Sequence, residues 1–187
     1  MPYATETTDP GFRHGEREVR LTIIRNIRDH LQDPNADTTW CGLNLDFTGA
    51  TFDGGDFSGS MFSGGTVSFR GSTFSGGTVH FSHSTYSGST VSFRTSMFSG
   101  ATVNFGDSTY SRGAISFSGS MFYDGTVSFN RSWFSGAAVS FHDSTLSGGK
   151  VSFSDSTYDS DTVVFQDSHI QASATIHWGP FPVIPGP

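Results

Sequence analysis

The sequence predicts an all-β solenoid, in which one short structural unit is stacked on copies of itself. Large apolar residues recur every twelve residues, and a second set of phenylalanines keeps the same period seven residues later. With a fixed internal period, neighbouring copies bury one another's apolar faces and together make the core. Proline is absent between residues 35 and 179, so the backbone donors of strand ladders are retained. The first set is Phe62, Phe74, Tyr86, Phe98, Tyr110, Phe122, Phe134, Leu146, Tyr158 and Ile170, and the second is Phe69, Phe81, Phe93, Phe105, Phe117, Phe129, Phe141, Phe153 and Phe165.

Each twelve-residue unit contains two extended blocks, and the spacing within a block predicts which side chains face the core. Val79 and Phe81 stand two residues apart in one block, and Ser72 and Phe74 do so in the other. Residues two apart on an extended segment point to the same side, so both members of each pair are predicted to face inward. We therefore interpret the serine that recurs two places before a large residue as small core filler. It is not predicted to be a nucleophile, because no nucleophile motif surrounds it.

The blocks before residue 62 follow one another without an insertion, so Phe47, Phe52, Phe57 and Phe62 are five residues apart. Over residues 45–170 this pattern resembles the pentapeptide-repeat family, whose repeats are similar to A-(D/N)-L-x-x. The resemblance implies a right-handed, quadrilateral β-helix, and it implies no particular activity because a fold does not fix a function. The chain departs from the family by inserting two residues after every second block. This departure predicts two enlarged, opposite corners in each coil.

The coil is predicted to contain about 24 residues, which is two units, with one large inward residue on each of four sides. A twelve-residue coil would have to hold two phenylalanines and a valine in a very thin interior. Marker residues also recur at twice the unit, as expected if alternate units stack directly on one another. The pairs are Tyr86 with Tyr110, Arg70 with Arg94, and Met97 with Met121.

The segment before the repeats is predicted to form an amphipathic helix that caps the first coil. Its apolar residues fall on one stripe, and Asp33-Pro34 ends the pattern because the residue before proline disfavours the α region. A lone helix of this length is marginal in water, so its stripe needs a partner surface. The segment is also similar to the stretch before the repeats in large actinobacterial pentapeptide-repeat proteins, where a membrane-anchored part often lies upstream. The predicted capping residues are Ile23, Ile24, Ile27, Leu31 and Trp40.

Composition divides the chain into four regions. Residues 1–15 are predicted to be a flexible arm, 16–44 the helix and a capping linker, 45–178 the β-helix, and 179–187 a proline-rich tail. The tail is apolar, and it is predicted either to lie over the last coil or to pair two rods end to end as a homodimer. The residues predicted to make such an end-to-end contact are Ile170, Ile176, Trp178 and Phe181.

Charge and composition argue against several functional classes. The formal net charge of −7 disfavours a nucleic-acid binder that grips phosphates. No apolar run approaches the length of a membrane span, and no signal peptide is recognised. Together with the single Cys41, these features predict a cytoplasmic location. No enzymatic, metal or cofactor site is predicted. His80 and His83 form the only close histidine pair, whereas a metal site needs three or four converging ligands.

The predicted function is a non-enzymatic binding or scaffold module for a protein partner that the sequence does not name. One alternative follows from the resemblance, since some pentapeptide-repeat proteins resemble B-DNA in shape and charge and bind DNA gyrase. A second alternative is ice binding by a flat threonine and serine ladder, although coils of this length split the ladder over two opposite sides. The candidate acidic face for the gyrase alternative is Asp143, Asp155, Asp159, Asp161 and Asp167.

Overall fold

The computed structural model describes residues 15–159 and 163–181, which form one α-helix followed by 21 short β-strands. The helix, α1, covers Glu16–His30. The strands are β1 (Leu45–Asp46), β2 (Thr51–Phe52), β3 (Gly55–Asp56), β4 (Met61–Phe62), β5 (Thr66–Ser68), β6 (Thr73–Phe74), β7 (Thr78–His80), β8 (Thr85–Ser92), β9 (Met97–Phe98), β10 (Thr102–Asn104), β11 (Thr109–Ser116), β12 (Met121–Phe122), β13 (Thr126–Ser128), β14 (Trp133–Phe134), β15 (Ala138–Ser140), β16 (Thr145–Leu146), β17 (Lys150–Ser152), β18 (Thr157–Tyr158), β19 (Val163–Val164), β20 (His169–Ile170) and β21 (Thr175–His177).

Each coil has four sides, which we number in chain order. Side 2 is the parallel sheet β2-β6-β9-β12-β16-β20, and side 3 is the parallel sheet β3-β7-β10-β13-β17-β21. Sides 4 and 1 are joined in one nine-stranded sheet, because β8 and β11 run through the corner between them without interruption. Side 1 contains β1, β5, β15 and β19 with the second halves of β8 and β11, and side 4 contains β4, β14 and β18 with their first halves.

The pairing register confirms the coil of 24 residues. Val79 pairs with Val103 on side 3, and the same step recurs on the other sides through the middle of the rod. The first coil is tighter, because the two-residue insertion is missing after Phe52. Phe52 consequently pairs with Phe74. The architecture is therefore a four-sided β-solenoid with a short helix at its N-terminal end, as the sequence predicts.

The interior consists of four columns of large side chains, one for each side. Rings in successive coils stack nearly parallel, with centroids 4.4 to 5.1 Å apart. Rings of neighbouring sides meet edge to face, as Phe93 and Phe105 do at 87°, and both arrangements suit the aromatic quadrupole. Valines two places earlier also face inward, and Val79 and Phe81 are both essentially inaccessible. All of the phenylalanines predicted for the core ladders are buried, each contributing about 2–3 kcal/mol of stabilisation from burial.

The buried serines do more than fill space, because their hydroxyl groups connect one coil to the next. Ser96 donates its Oγ hydrogen to the carbonyl oxygen of Phe69 at 2.7 Å, and Ser144 donates to Phe117 at 2.8 Å. On side 4 the backbone N–H of Ser84 donates to the hydroxyl oxygen of Ser108 at 3.1 Å. The carbonyl oxygens of Phe69 and Phe117 also accept the backbone N–H of Ser72 and Ser120, so the hydroxyl is a second donor that alanine would not supply. The interpretation as small filler was therefore incomplete.

Two diagonally opposite corners of each coil depend on a residue with positive φ. At the corner between sides 1 and 2, Gly71, Thr95 and Gly119 occupy this position, and His83 and Asp107 do so between sides 3 and 4. Glycine adopts this conformation freely and aspartate tolerates it, whereas a β-branched residue is strained there. The two-residue insertions lie at the other two corners.

Because the inward positions fill the core and the corners turn the chain, function has to be sought on the outward positions and at the two ends.

Helix α1 covers the N-terminal end of the solenoid beside sides 3 and 4. Ile24 lies against β3, where a Cβ atom at position 55 would be 2.9 Å from its Cδ1, so Gly55 permits this close approach. The backbone N–H of Met61 donates to the carbonyl oxygen of Leu31 at 2.7 Å, which extends the ladder of side 4 into the cap. Arg28 forms an ion pair with Asp56. Ile24 and Leu31 thus complete the columns of these two sides.

The other predicted capping residues differ in their burial. Ile27 and Trp40 are partly buried against the core, and the indole of Trp40 stacks on His30 with ring centroids 4.5 Å apart. Ile23 is 52% exposed and is not among the residues packed against the core. The reason is geometric, since adjacent residues on a helix are turned by about 100°. With Ile24 directed at β3, Ile23 points away from it.

Candidate binding surfaces

The described part of the chain offers binding surfaces and no converging cluster of catalytic groups. The interior is filled by the four columns, and residues 15–159 and 163–181 contain no group of three or more His, Cys, Asp or Glu side chains placed to hold a metal ion. His80 lies on side 3 at an outward position, and His83 lies at the following corner. In these same ranges, no helix has the length and apolar character that crossing a bilayer requires.

Small hydroxyl-bearing residues occupy most outward positions, and they form only short columns. On side 3, Thr78, Thr102 and Thr126 lie in register, and the next coil places Lys150 there. On side 1 the corresponding column changes from Thr90 to alanine in the next two coils. The split over two opposite sides agrees with the sequence-based expectation. A continuous threonine face of the kind considered for ice binding is not formed by these columns.

Trp133 is the most exposed aromatic residue in the described ranges, with 56% of its surface accessible. It lies on side 4 in β14, directly in register with Thr109 in one neighbouring coil and Thr157 in the other. Arg112 follows in the coil before it and Asp159 in the coil after it, and both are exposed. Side 4 therefore presents a large aromatic ring, and exposed charges of both signs follow in the two neighbouring coils. Sequence reasoning missed this site, although the replacement of threonine by tryptophan in one coil was a visible signal.

A second exposed aromatic residue, Tyr123, lies beyond the end of β12 on side 2. It is 47% exposed, and its hydroxyl group donates to the sulfur of Met121 at 3.0 Å. Met121 pairs in register with Met97, so two methionines and a tyrosine share this side. Contact with the sulfur holds the phenol ring against its own strand. Tyr123 consequently protrudes less freely than Trp133 does.

The candidate acidic residues are distributed over three corners of the rod. Asp143 and Asp167 lie at the corner between sides 1 and 2, and Asp155 lies at the opposite corner, between sides 3 and 4. Asp159 follows β18 at the corner between sides 4 and 1, whereas Asp161 lies outside the described residues. The four described carboxylates are therefore not collected on one side.

A basic side chain also interrupts the carboxylates at one of these corners. Arg131 stands in the coil between Asp107 and Asp155, and it donates two hydrogen bonds to Asp107 at 2.7 and 2.8 Å. These bonds hold the pKa of the Asp107 carboxyl below its usual range. The negative charge of this corner is therefore locally neutralised, and the corner does not form a uniform acidic stripe.

The charge density of the rod is far below that of the duplex it would imitate. B-DNA carries one negative charge per about 1.7 Å, which amounts to roughly fourteen over a rod of five coils at about 4.8 Å each. Residues 45–178 carry ten Asp and five Lys or Arg residues. Density and placement together give no support to the gyrase alternative.

The C-terminal end of the solenoid is partly closed by its own chain. Phe181 is only 6% exposed and packs on Tyr158 with ring centroids 4.6 Å apart. Trp178 meets Phe165 edge to face at 4.9 Å. The tail residues that the structure describes therefore lie over the last coil, which was one of the two predicted arrangements. Of the four residues predicted for an end-to-end contact, Phe181 is buried and therefore unavailable. Ile170, Ile176 and Trp178 are partly buried against the same core.

An apolar groove lies at the N-terminal end, between α1 and the first coil. It has a volume of about 150 Å³. The helix contributes Ile23 and Ile27 to its wall, and the coil contributes Phe47, Ala50 and Phe52. Arg20 lines one edge, where it donates a hydrogen bond to the carbonyl oxygen of Thr51. The groove was not predicted from the sequence.

Comparisons with known proteins identify no close relative. No family model matches the chain, and no curated protein does. Among solved structures, trypsin-treated QnrB1, a plasmid-mediated fluoroquinolone resistance protein, is similar over 71% of this chain and 89% of its own, at 19% identity. The TM-score of this match is 0.16, a value at which the two chains do not superpose as wholes. The architecture of this chain is accordingly established by its own strand register.

Proposed function

We propose that this chain is a pentapeptide-repeat protein with two-residue insertions, and that it acts as a non-enzymatic module that binds another protein. The binding surface is centred on Trp133 of side 4. One observation carries the proposal: the indole is 56% exposed at a position where both neighbouring coils have threonine. The repeat itself explains the threonines, because small β-branched residues suit outward strand positions. It does not explain the tryptophan.

Physical chemistry favours a protein as the occupant of this surface. Tryptophan is enriched among the residues that dominate binding energy, and truncating such a residue typically costs 2 kcal/mol or more of binding free energy, in rough terms. The residues in register with Trp133 are threonines, and the exposed Arg112 and Asp159 supply charges of both signs towards the corner with side 1 in the neighbouring coils. An aromatic anchor with a polar rim is the usual composition of a protein–protein contact. The rigid solenoid pays little entropy on binding, because its strands are already ordered.

Affinity capture with matched variants tests this proposal. The substitution Trp133→Thr restores the residue of the neighbouring coils, so we expect it to leave the fold intact. Tyr123→Ser removes the exposed aromatic residue of side 2 and serves as the control. Wild-type protein and both variants are immobilised, incubated with lysate of the source organism, and the captured proteins are quantified by mass spectrometry.

The captured amount of a specific partner is expected to be the same for the wild type and Tyr123→Ser, and to fall at least about tenfold with Trp133→Thr. A tenfold fall corresponds to a loss of about 1.4 kcal/mol of binding free energy. The interaction is then measured with the purified partner. Capture that is equal for all three proteins contradicts the assignment of Trp133. Loss with Tyr123→Ser alone moves the binding surface to side 2 and also contradicts it.

A further inference from the structure

We propose that a cleft between α1 and side 3 binds a compact dianion, either free phosphate or the phosphate group of a small monoester. The cleft has a volume of about 290 Å³. The helix contributes Arg17 and Arg25 to its lining, and side 3 contributes Thr78 and His80. The proposal does not depend on the function proposed for Trp133 on side 4. It rests on the shape of the cleft and on an excess of hydrogen-bond donors within it.

Two glycines in the first coil shape this cleft. Gly54 and Gly55 line it, and Gly55 pairs in register with Val79 of the next coil. A Cβ atom at position 54 would lie 3.3 Å from Nη2 of Arg17, so the missing side chain leaves room for this guanidinium group beside the backbone. The second coil has full side chains at the corresponding positions. The cleft is therefore bounded by glycine backbone in one coil and by polar side chains in the next.

The carboxylates near the cleft are already engaged. Asp56 lines the cleft, where its Oδ2 accepts a hydrogen bond from Arg28 and its Oδ1 accepts the backbone N–H of Ser58 at 2.9 Å. Asp53 places its Oδ2 3.4 Å from Nε of Arg17. Asp53 thus balances the charge of Arg17, and Arg28 balances that of Asp56. Neither carboxylate leaves an uncompensated negative charge that would repel an anion.

Arg25 supplies the positive charge that remains. It lines the cleft and has no hydrogen-bond or ion-pair partner among residues 15–159 and 163–181. Arg17, Leu21 and Arg25 follow one another at intervals of four, so they share one face of α1. The two arginines are about 12 Å apart along the helix axis. An anion held beside Leu21 therefore lies between their guanidinium groups.

The chemistry of the lining favours a phosphate group over other ligands. A guanidinium group only donates hydrogen bonds, and its planar fork matches the spacing of phosphate oxygens. The Thr78 hydroxyl and the His80 ring supply further donors on the opposite element. Small-molecule sites usually have volumes of about 300–1,000 Å³, so this cleft suits a compact ligand. The net charge of −7 outside the cleft disfavours a long polyanion.

The test is an NMR titration of the full chain with sodium phosphate at pH 7, with ionic strength held constant by sodium chloride. The backbone amide signals of Gly54 and Gly55 report binding in the cleft. Arg25→Gln removes the charge at an exposed, unpaired position, so we expect the fold to be unchanged. Arg70→Gln removes an exposed arginine at the corner between sides 1 and 2 and serves as the control. Unchanged Tm values check that both variants are folded.

Saturable shifts are expected in the wild type and in Arg70→Gln with equal affinity. Arg25→Gln should weaken phosphate binding at least about tenfold, because a charge-assisted hydrogen bond is lost. Equal affinity of the wild type and Arg25→Gln overturns the proposal, as do shifts that chloride alone reproduces. If Arg25→Gln disturbs the fold, His80→Gln replaces it, and unchanged affinity in that variant overturns the proposal in the same way.

A parallel titration with glycerol 3-phosphate distinguishes the two sources of the phosphate group. Tighter binding of the monoester than of inorganic phosphate supports the cleft as a site for an organic phosphate. Tighter binding of inorganic phosphate supports a site for the free ion. Absence of saturable shifts at Gly54 and Gly55 with both compounds overturns the proposal.

Discussion

The buried tyrosines of side 4 give a sharp test of how hydrogen bonding is distributed in this core. Tyr86 and Tyr110 lie in neighbouring coils of one column, with ring centroids 4.7 Å apart, and both are essentially inaccessible. Tyr110 donates its hydroxyl hydrogen to the carbonyl oxygen of Phe105 at 3.0 Å. The Tyr86 hydroxyl has no hydrogen-bond partner among the described residues. The nearby Ser84 hydroxyl has one hydrogen, which lies within donating distance of the carbonyl oxygens of Phe57 at 3.4 Å and Ser82 at 3.5 Å.

Removing each hydroxyl should therefore change stability in opposite directions. A buried polar group without a partner costs about 1–3 kcal/mol, whereas a satisfied hydrogen bond contributes about 0.5–1.5 kcal/mol. Tyr86→Phe keeps the stacked ring and removes the unpaired group, so we expect the free energy of unfolding to rise by about 1 kcal/mol. Tyr110→Phe should lower it by about 1 kcal/mol. The resulting gap of about 2 kcal/mol corresponds to a Tm difference of about 4–8 °C.

Differential scanning calorimetry on the wild type and both variants measures this gap. Burial raises the pKa of both tyrosines, so neither ionises near neutral pH and the comparison is free of charge effects. The reasoning is refuted if Tyr86→Phe is destabilised as much as Tyr110→Phe. That outcome would mean that the Tyr86 hydroxyl is satisfied, for example by a buried water molecule.

Four further predictions follow from the same structure. Thr95→Asn should raise the Tm by about 2–4 °C, since asparagine tolerates the φ of 56° that strains a β-branched residue; an unchanged or lower Tm contradicts this. Ser96→Ala should cost about 1 kcal/mol of unfolding free energy in urea titration, because Phe69 loses a donor, whereas Ser75→Ala at an exposed position should be neutral. Burial by itself would raise the pKa of the Asp56 carboxyl, but hydrogen bonds from Ser58 and the charge of Arg28 hold that pKa below its usual range. Arg28→Met should therefore cost about 0.5–1 kcal/mol at pH 7, discounted for solvent, and that difference should vanish as the pH falls through the folded pKa of Asp56; a loss that persists in acid argues against the ion pair. Finally, the scattered carboxylates predict that micromolar protein leaves DNA gyrase supercoiling unchanged, and inhibition or protection would revive the DNA-mimic alternative.

The interior could be predicted almost completely from the chain. Because side chains alternate along an extended block, the pair Val79 and Phe81 could be placed inside without knowledge of the corners. The 24-residue beat of Tyr86 and Tyr110 also fixed which units stack. Periodic sequence in a solenoid translates directly into contact, since each unit meets only its neighbours.

The surface and the ends were predicted less well. A helical stripe cannot tell which of two adjacent apolar residues packs more deeply, so Ile23 and Ile24 were both assigned to the cap, and Ile24 is the one that is buried. The candidate acidic residues are close in sequence, but residues twelve apart lie at opposite corners, and Arg131 lies between Asp155 and Asp107. Trp133 could have been found by comparing each outward residue with those 24 positions away.

What the sequence by itself determined, then, is the rod: its coil length, its four columns and the inward residues, because these depend on a period that the chain repeats throughout the β-helix. What only the tertiary structure decided is which groups pair between coils and how the ends of the rod are covered. The serine hydroxyls find carbonyl partners one coil away, Phe181 closes the last coil, and α1 leaves a groove over two columns. These contacts join residues that are far apart in the sequence and meet only when the coils stack, so the repeat pattern alone does not reveal them.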